Sequence, residues 1–538
     1  MAGTPIPAER LRTFDRRSLA AEIQRRFGVA PSPGGRSGAE AWFTMPHPGV
    51  LASACEFLVH EAGYLFAGLI VEERDEWSLR YLFLNTHSGW AHLVLTLPLA
   101  CPRLPSISAQ VHAADWYERE AEDLFGLEFE AHPRLGDFVL HDQVWQEGIA
   151  PMRKAFNAGQ THFEKRPQED WRPTLVVQDP GAFAMPVGPV YEGGIGESVH
   201  FLLETVGEDV VRAVPRLFYN YRGVEKIAEG QPAEDVLLLA ERFSARSAFA
   251  HSLGFCQAVE QVVGCEVPRR GFQLRVVLAE LERLRHHAGT IEGICRSTAL
   301  SVSEAHAAIV EEELLRASCR FAGHRYLFGL NTPGGLRRDF TREDCNDLLQ
   351  AVDSASMRFQ RLENRLRLTS SFLDRLEDVG PVTPASARDL SLVGPVARAS
   401  GVSRDLRQVC PYSGYERYRL SIPCEQEGDG YARLRVLFSE ARTSAELIHQ
   451  AVESLEAGEV RAGAPVRAGA AAGWVEAPAG GSVHWVRLDT EGRVERYRIL
   501  SPSFRNFHGL HVAAEEFAFQ DFPIILATFG LSAAECDR

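Results

Sequence analysis

The stretch FQLRVVLAELERLRHHAGTIEGIC, Phe272 to Cys295, decides how the centre of this chain folds. Leu274, Val277, Leu278, Leu281, Leu284, Ala288 and Ile291 recur every three or four positions, the period that lines side chains along one face of an α-helix. Arg275, Glu282, Arg283 and Arg285 fall off that stripe, so the segment reads as an amphipathic helix. Thr341-x-x-Asp344 has the form of a capping box and opens a second long helical run through Leu376, and Leu434 to Leu455 gives a third. From about Ala233 onward the middle of the protein is expected to be a helical bundle.

The flanks read differently. The segment from Val187 to Gly223 holds paired apolar runs broken by glycines and by the polar turn Val206-Gly-Glu-Asp209, the pattern of a β-hairpin. Further upstream, SLRYLFLNT (78–86) and AHLVLTLPL (91–99) have strand character, whereas Val111 to Gly126 has the charge density of a helix. A polar, proline-bearing stretch, FEKRPQEDWRPT (163–174), reads as a linker. Beyond the bundle comes an Ala/Gly-rich piece (462–473), and then VHWVRL and RVERYRIL alternate around Asp489-Thr-Glu-Gly492 as a second hairpin. The expected class is α+β: an N-terminal α/β domain over residues 1–172, then a large mainly helical domain over 173–538 with small β hairpins at its start and near its C-terminus.

The bulk numbers narrow the function classes. Lys and Arg total 57 against 72 for Asp and Glu, a net charge of −15 that disfavours adhesion to nucleic acid or an anionic lipid surface and leaves proteins as the docking partners. No apolar run approaches the roughly 18 to 20 residues a membrane-crossing helix needs. The opening MAGTPIPAERLRTFDRR lacks the apolar core of a secretory signal, so cytoplasmic residence is the expectation. The ten cysteines, at 55, 101, 256, 265, 295, 319, 345, 410, 424 and 536, include no C-x-x-C pair and read as reduced, mostly buried small hydrophobes.

Particular residues carry more. Glu118-Arg-Glu-Ala-Glu-Asp-Leu-Phe-Gly126, followed by Glu130-Ala-His-Pro-Arg-Leu135, resembles the signature of the 30 kDa subunit of respiratory complex I, the NADH-quinone oxidoreductase. GPVY (188–191), FYNYRGVEK (218–226), VLAELERLRHH (277–287), TPGGL (332–336), GWVEAPAG (473–480) and RYRILSPSFRN (496–506) resemble, in order, the 49 kDa subunit and the large subunits of energy-converting [NiFe] hydrogenases of the formate hydrogenlyase type. The resemblance implies a fusion of complex I 30 kDa-like and 49 kDa-like domains. The 30 kDa-like domain binds no cofactor in that family, and the charges of Glu118 to Gly126 are expected to fix its docking on its neighbour.

In the hydrogenase branch, two C-x-x-C pairs hold nickel and iron. Here those positions fall on Ser244 and Ser247, within ERFSARSAFAHS (241–252), and on Ser532 and Glu535, within GLSAAECDR (530–538). Serine oxygens are hard, ordinarily protonated donors, and Cys536 stands one position off register, so no nickel site is expected. In the complex I branch the same cavity receives a quinone, contacted by a histidine and a tyrosine; the matching positions hold Glu197 and Ala245. Tyr191 likewise replaces a usual histidine. His251 belongs to the cavity wall, and Arg246, costly to bury unpaired, is expected to meet Glu197 or Glu535 in an ion-pair network. Ser244 and Ser247 read equally as helix-start hydroxyls without chemistry of their own, and Glu197 as a solvated hairpin residue.

Arg222 and His287 match positions that lie, in complex I, near the terminal [4Fe-4S] cluster of the partner subunit, where a cation or imidazole raises the cluster's potential. The implied partners are an iron-sulfur small subunit of the 20 kDa complex I type, a ferredoxin-like subunit and antiporter-like membrane subunits, with the chain held peripherally on the inner face of the cell membrane. No cofactor is assigned to the chain itself; a quinone is the implied cavity ligand, and NAD(H) belongs to the complex. Two functions follow from this resemblance: a subunit that passes electrons and is coupled to an ion-translocating membrane arm, or a scaffold that has lost its reaction centre.

Overall fold

The computed structural model describes residues 12–33, 39–141, 145–146, 148–159, 161, 176–189 and 198–538. The domain boundary expected near Arg172, together with Tyr191 and Glu197, lies outside them.

The N-terminal part is built on a five-stranded sheet. Leu65–Glu73, Trp77–Asn85 and Gly89–Leu97 run antiparallel, Glu40–Met45 joins Gly89–Leu97 in parallel, and Pro31–Ser32 closes the edge. The sequence of the Trp77–Asn85 strand already suggests burial on both faces, and only Ser78 is not fully buried. The helices Arg16–Phe27 and Pro48–His60 belong to this part and contribute Leu19, Ile23, Phe57 and Leu58 to its core. Aromatic contacts tie the sheet to the C-terminal part: Trp90 lies 5.7 Å from Trp474, and the Arg80 guanidinium is held 4.1 Å from the Trp42 ring and 4.4 Å from the Trp485 ring.

The Asp115–Phe125 helix carries the acidic motif inward. Glu118 accepts hydrogen bonds from Ser106 Oγ at 2.5 Å and Ile107 N at 2.9 Å, yet burial still pushes its carboxyl up to about 7. Glu120 reaches the other half of the chain, meeting Arg498 through two bonds of 2.8 and 2.6 Å and Arg538 at 2.9 Å. Glu225 completes the cluster with Arg496 at 3.0 Å, Arg498 at 3.2 Å and Arg538 at 3.2 Å. All five side chains are buried. Burial raises the Glu225 carboxyl, but the three guanidiniums outweigh it and hold the group at about 2.

The bundle consists chiefly of Arg269–Ser297, Ser301–Ala322, Arg342–Arg367 and Gly430–Glu453. The capping box forms as its spacing predicts, with Thr341 Oγ1 accepting from Asp344 N and Asp344 accepting from Thr341 N. That helix ends at Arg367 rather than Leu376, where the Thr369 hydroxyl takes the Arg365 carbonyl at 2.9 Å. The Arg269–Ser297 helix is not amphipathic in place: Arg275, Glu282, Arg283 and Arg285 are 0, 2, 1 and 5% exposed. Its polar face finds partners. Arg275 meets Glu260 and the carbonyls of Thr332 and Gly335, Arg283 donates to the carbonyls of Glu476 and Ala477, and Glu282 accepts from Phe249 N and Ala250 N.

Both expected hairpins form, His200–Val206 with Asp209–Arg216 and Gly480–Leu488 with Val494–Leu500. The Ala/Gly-rich piece, to which the sequence assigns no element, runs into a third strand, Gly469–Ala477, on the second hairpin. Its small residues serve close approach to the Ala248–Val263 helix: a Cβ on Gly473 would lie 2.0 Å from Gly254 O, and one on Gly254 would lie 2.4 Å from the His484 ring.

Glu120→Ala leaves Arg498 and Arg538 with one shared acid inside the molecule and is expected to cost about 3 to 5 kcal/mol in urea denaturation. Arg103→Ala, breaking an exposed pair with Glu128, should change stability by no more than about 1 kcal/mol.

Candidate functional site

Two short loops meet at the site. One, Ala245–Ser247, is a single 3-10 turn leading into the Ala248–Val263 helix; the other, Ala533–Glu535, is a similar turn in the C-terminal segment. Buried Glu282 fixes the first by accepting from two amides of the helix's first turn, Phe249 N at 2.7 Å and Ala250 N at 2.9 Å, where a carboxylate complements the positive end of the helix dipole. Arg222 fixes the second: its N and Nε donate to Asp537 O at 2.9 and 3.1 Å, and Nη2 donates to Ala534 O. Arg246 Nη1 joins the two by donating to Leu531 O at 2.8 Å.

At the centre lies a buried chain of titratable groups. Glu535 Oε1 is 3.3 Å from His251 Nε2, His251 Nδ1 is 3.2 Å from His484 Nε2, and His484 Nδ1 is 2.8 Å from the Tyr497 hydroxyl. Glu535 Oε2 also accepts from Ser503 N at 3.2 Å. One arrangement of hydrogens satisfies every contact with both rings neutral: Tyr497 donates to His484, His484 to His251, and His251 to an ionised Glu535. Burial raises the Glu535 carboxyl, but the hydrogen bonds from His251 and Ser503 prevail and its pKa is lowered. Burial drives the His484 pKa well down, in keeping with a neutral ring.

The expected site residues separate on this geometry. Ser244, Ser247, His251, Ser532 and Glu535 are all buried, and of these His251 and Glu535 are in contact. The Ser244 and Ser247 hydroxyls are enclosed without a hydrogen-bond partner. Arg246 is not paired with Glu535: a main-chain carbonyl takes its guanidinium while His251 and Ser503 take the acid, and Glu197, the other acid expected for it, lies outside the described residues. Ala245 is exposed on the chain. His287 is wholly enclosed within the chain, its Nε2 2.9 Å from Glu440 Oε2, and burial lowers its pKa against the pull of that acid. Its ring therefore presents no outer face to a partner.

Sequence reasoning missed His484, Tyr497, Ser503 and Glu282. His484 sits in the alternation of VHWVRL, which identifies a strand but not that the strand delivers an imidazole beside His251. The donor set does not suit a nickel-iron centre. Oxygen stands at all four expected thiolate positions, and among the described residues no group of three or more His, Cys, Asp or Glu is placed to hold a metal ion.

The family model of the respiratory-chain NADH dehydrogenase 30 kDa subunit matches residues 46–162, and that of the 49 kDa subunit matches 305–467 and 459–538. The chain is 29% identical over 504 residues to formate hydrogenlyase subunit 5 of Escherichia coli (strain K12), covering 91% of this chain and 87% of that one. It is 30% identical over 355 residues to the C/D subunit of NADH-quinone oxidoreductase from Bdellovibrio bacteriovorus, covering 64 and 62%. With the C/D subunit of NADH-quinone oxidoreductase from Acinetobacter baumannii (strain AYE) the identity is 28% over 474 residues, covering 79 and 78%.

Glu535→Gln keeps the shape of the side chain and removes its charge, and should lower stability at neutral pH by about 1 to 3 kcal/mol. Because the folded pKa is depressed, the wild-type advantage is present above the unfolded value of about 4.3 and disappears as pH falls through the folded one. Paired urea titrations at pH 7 and pH 3 check both statements.

Proposed function

Since the chain belongs to the family that fuses complex I 30 kDa-like and 49 kDa-like domains in one polypeptide, we propose that it works without a nickel-iron centre, as the docking and electron-path subunit of a membrane-associated complex I-like oxidoreductase. The observation that carries this reading is the fate of the four ligand positions. Three hold serine, and the fourth, Glu535, is committed to His251 and the Ser503 amide. A soft, thiolate-held metal has no donors here.

On this reading the chain sits beside a [4Fe-4S]-bearing small subunit, with ferredoxin-like and antiporter-like subunits completing the path from donor to ion-translocating arm. Among the described residues no helix is long and apolar enough to cross a membrane, so attachment runs through those partners. Arg222 then acts by holding the C-terminal segment in shape, and His287 influences the cluster only through the field of its Glu440 pair. NAD(H) and a quinone enter, where they are used, at the level of the complex.

A second reading, a scaffold without a reaction centre, draws on both Glu535 oxygens being hydrogen-bonded within the chain, to His251 and to the Ser503 amide. Two measurements separate these readings. Metal analysis of the purified complex should find nickel well below one atom per chain, and stoichiometric nickel would overturn both. Ala245→Trp adds bulk at an exposed position beside the site without disturbing the core. Loss of acceptor reduction supports an electron path there, whereas unchanged electron flow supports the scaffold.

A further inference from the structure

A second feature lies apart from the loops around Glu535. Where the Asp115–Phe125 helix and residues 134–138 face the Asp209–Arg216 strand and the Pro502–Ala514 helix, the two halves of the chain leave a cleft of about 500 Å³. Four arginines line it, at 119, 134, 212 and 216, with Asp115, Asp137 and Glu515 as the acids. Two of the cations are neutralised: Arg212 is bonded to Glu204, and Arg216 to Asp137. Asp115 lies 3.3 Å from His132 Nε2 and 3.7 Å from His508 Nε2, and its charge also acts on Arg119. Burial raises the pKa of the Glu515 carboxyl against the pull of His511 and Arg212.

Arg119 and Arg134 are left over. Arg119 is only 8% exposed, yet it has no carboxylate within ion-pair distance among the described residues. Its Nη2 donates to Gly136 O at 3.2 Å, its guanidinium lies 4.3 Å from the Phe138 ring, and its Nε has no partner. Burial lowers the Arg119 pKa, and the fields of Asp115, Asp123 and Asp137 offset that cost only in part, none of them forming an ion pair with it. Arg134 stands exposed on the same wall and makes no ion pair among the described residues. His508 adds no charge: it stacks on Trp116 at 4.9 Å, and burial brings its pKa down to about 4.

We propose that this cleft is a binding site for a small molecule carrying a phosphate or carboxylate group, with the oxyanion held between Arg119 and Arg134 and the body of the ligand against Trp116. A guanidinium fork matches the geometry of either oxyanion. The volume falls within the roughly 300 to 1,000 Å³ typical of small-molecule pockets, larger than a bare ion requires. The site is independent of any electron path, and an electron path is independent of it.

Inorganic phosphate and succinate serve as probes, titrated calorimetrically into the full chain, or the complex it purifies with, at ionic strength fixed by sodium chloride. Saturable binding of either by the wild type, weakened at least tenfold in Arg134→Gln and further in Arg119→Gln/Arg134→Gln, supports the site. Whichever probe binds more tightly identifies the oxyanion class. Arg134→Gln, at an exposed position without an ion pair, should melt like the wild type when no ligand is added, and Arg103→Gln on a distant surface should leave binding unchanged. No saturable binding of either probe tighter than about 10 mM, or equal binding by wild type and Arg134→Gln, would overturn the proposal.

Discussion

Three arginines and two glutamates share one buried volume where the halves of this protein meet: Arg496, Arg498 and Arg538 with Glu120 and Glu225. None of these charges can be enclosed alone, because ions taken out of water repay the cost only through close opposite partners and satisfied hydrogen bonds. Glu120 comes from the N-terminal part, Glu225 from a short helix after the first hairpin, two arginines from the last strand of the second hairpin, and Arg538 from the C-terminal segment. Each element is therefore held in place by the others. The C-terminal turn bearing Glu535 owes its position to this cluster as much as to its own contacts.

The same logic extends into the bundle. A second buried network joins Arg398 to Glu440, Glu476 and Asp405, and Arg407 to Asp405 and Glu280, with Tyr415 and Ser444 donating to Glu280. His287 belongs to it through Glu440. The long central helix thus has two kinds of buried face, one apolar and one ionic, and the ionic one specifies which neighbours it accepts. Such networks favour a unique arrangement because a shifted register would strand a charge.

Around Glu535 the constraint is smaller but similar. The two loops are bridged by hydrogen bonds, Glu535 to His251 and Arg246 to the Leu531 carbonyl. Carboxylate and imidazole do the joining, and the Ser244 and Ser247 hydroxyls are left enclosed without partners. The site is more a closed seam than an open pocket.

The sequence by itself determined the order of the main elements and the likeness to the complex I 30 kDa and 49 kDa subunits. Periodicity at 272–295, the capping box at Thr341 and the alternation around Asp489 each report on local backbone geometry, which a few neighbouring residues settle. It could not determine that Arg275 and Arg283 are buried, that the Ala/Gly-rich piece runs into a strand, that Arg246 leaves Glu535 to His251, or that Arg119 lines a cleft without a direct ion pair among the described residues. Those outcomes depend on partners tens to hundreds of residues away. A charge off the apolar stripe looks the same in sequence whether water or a distant glutamate receives it, and only the tertiary structure decides which.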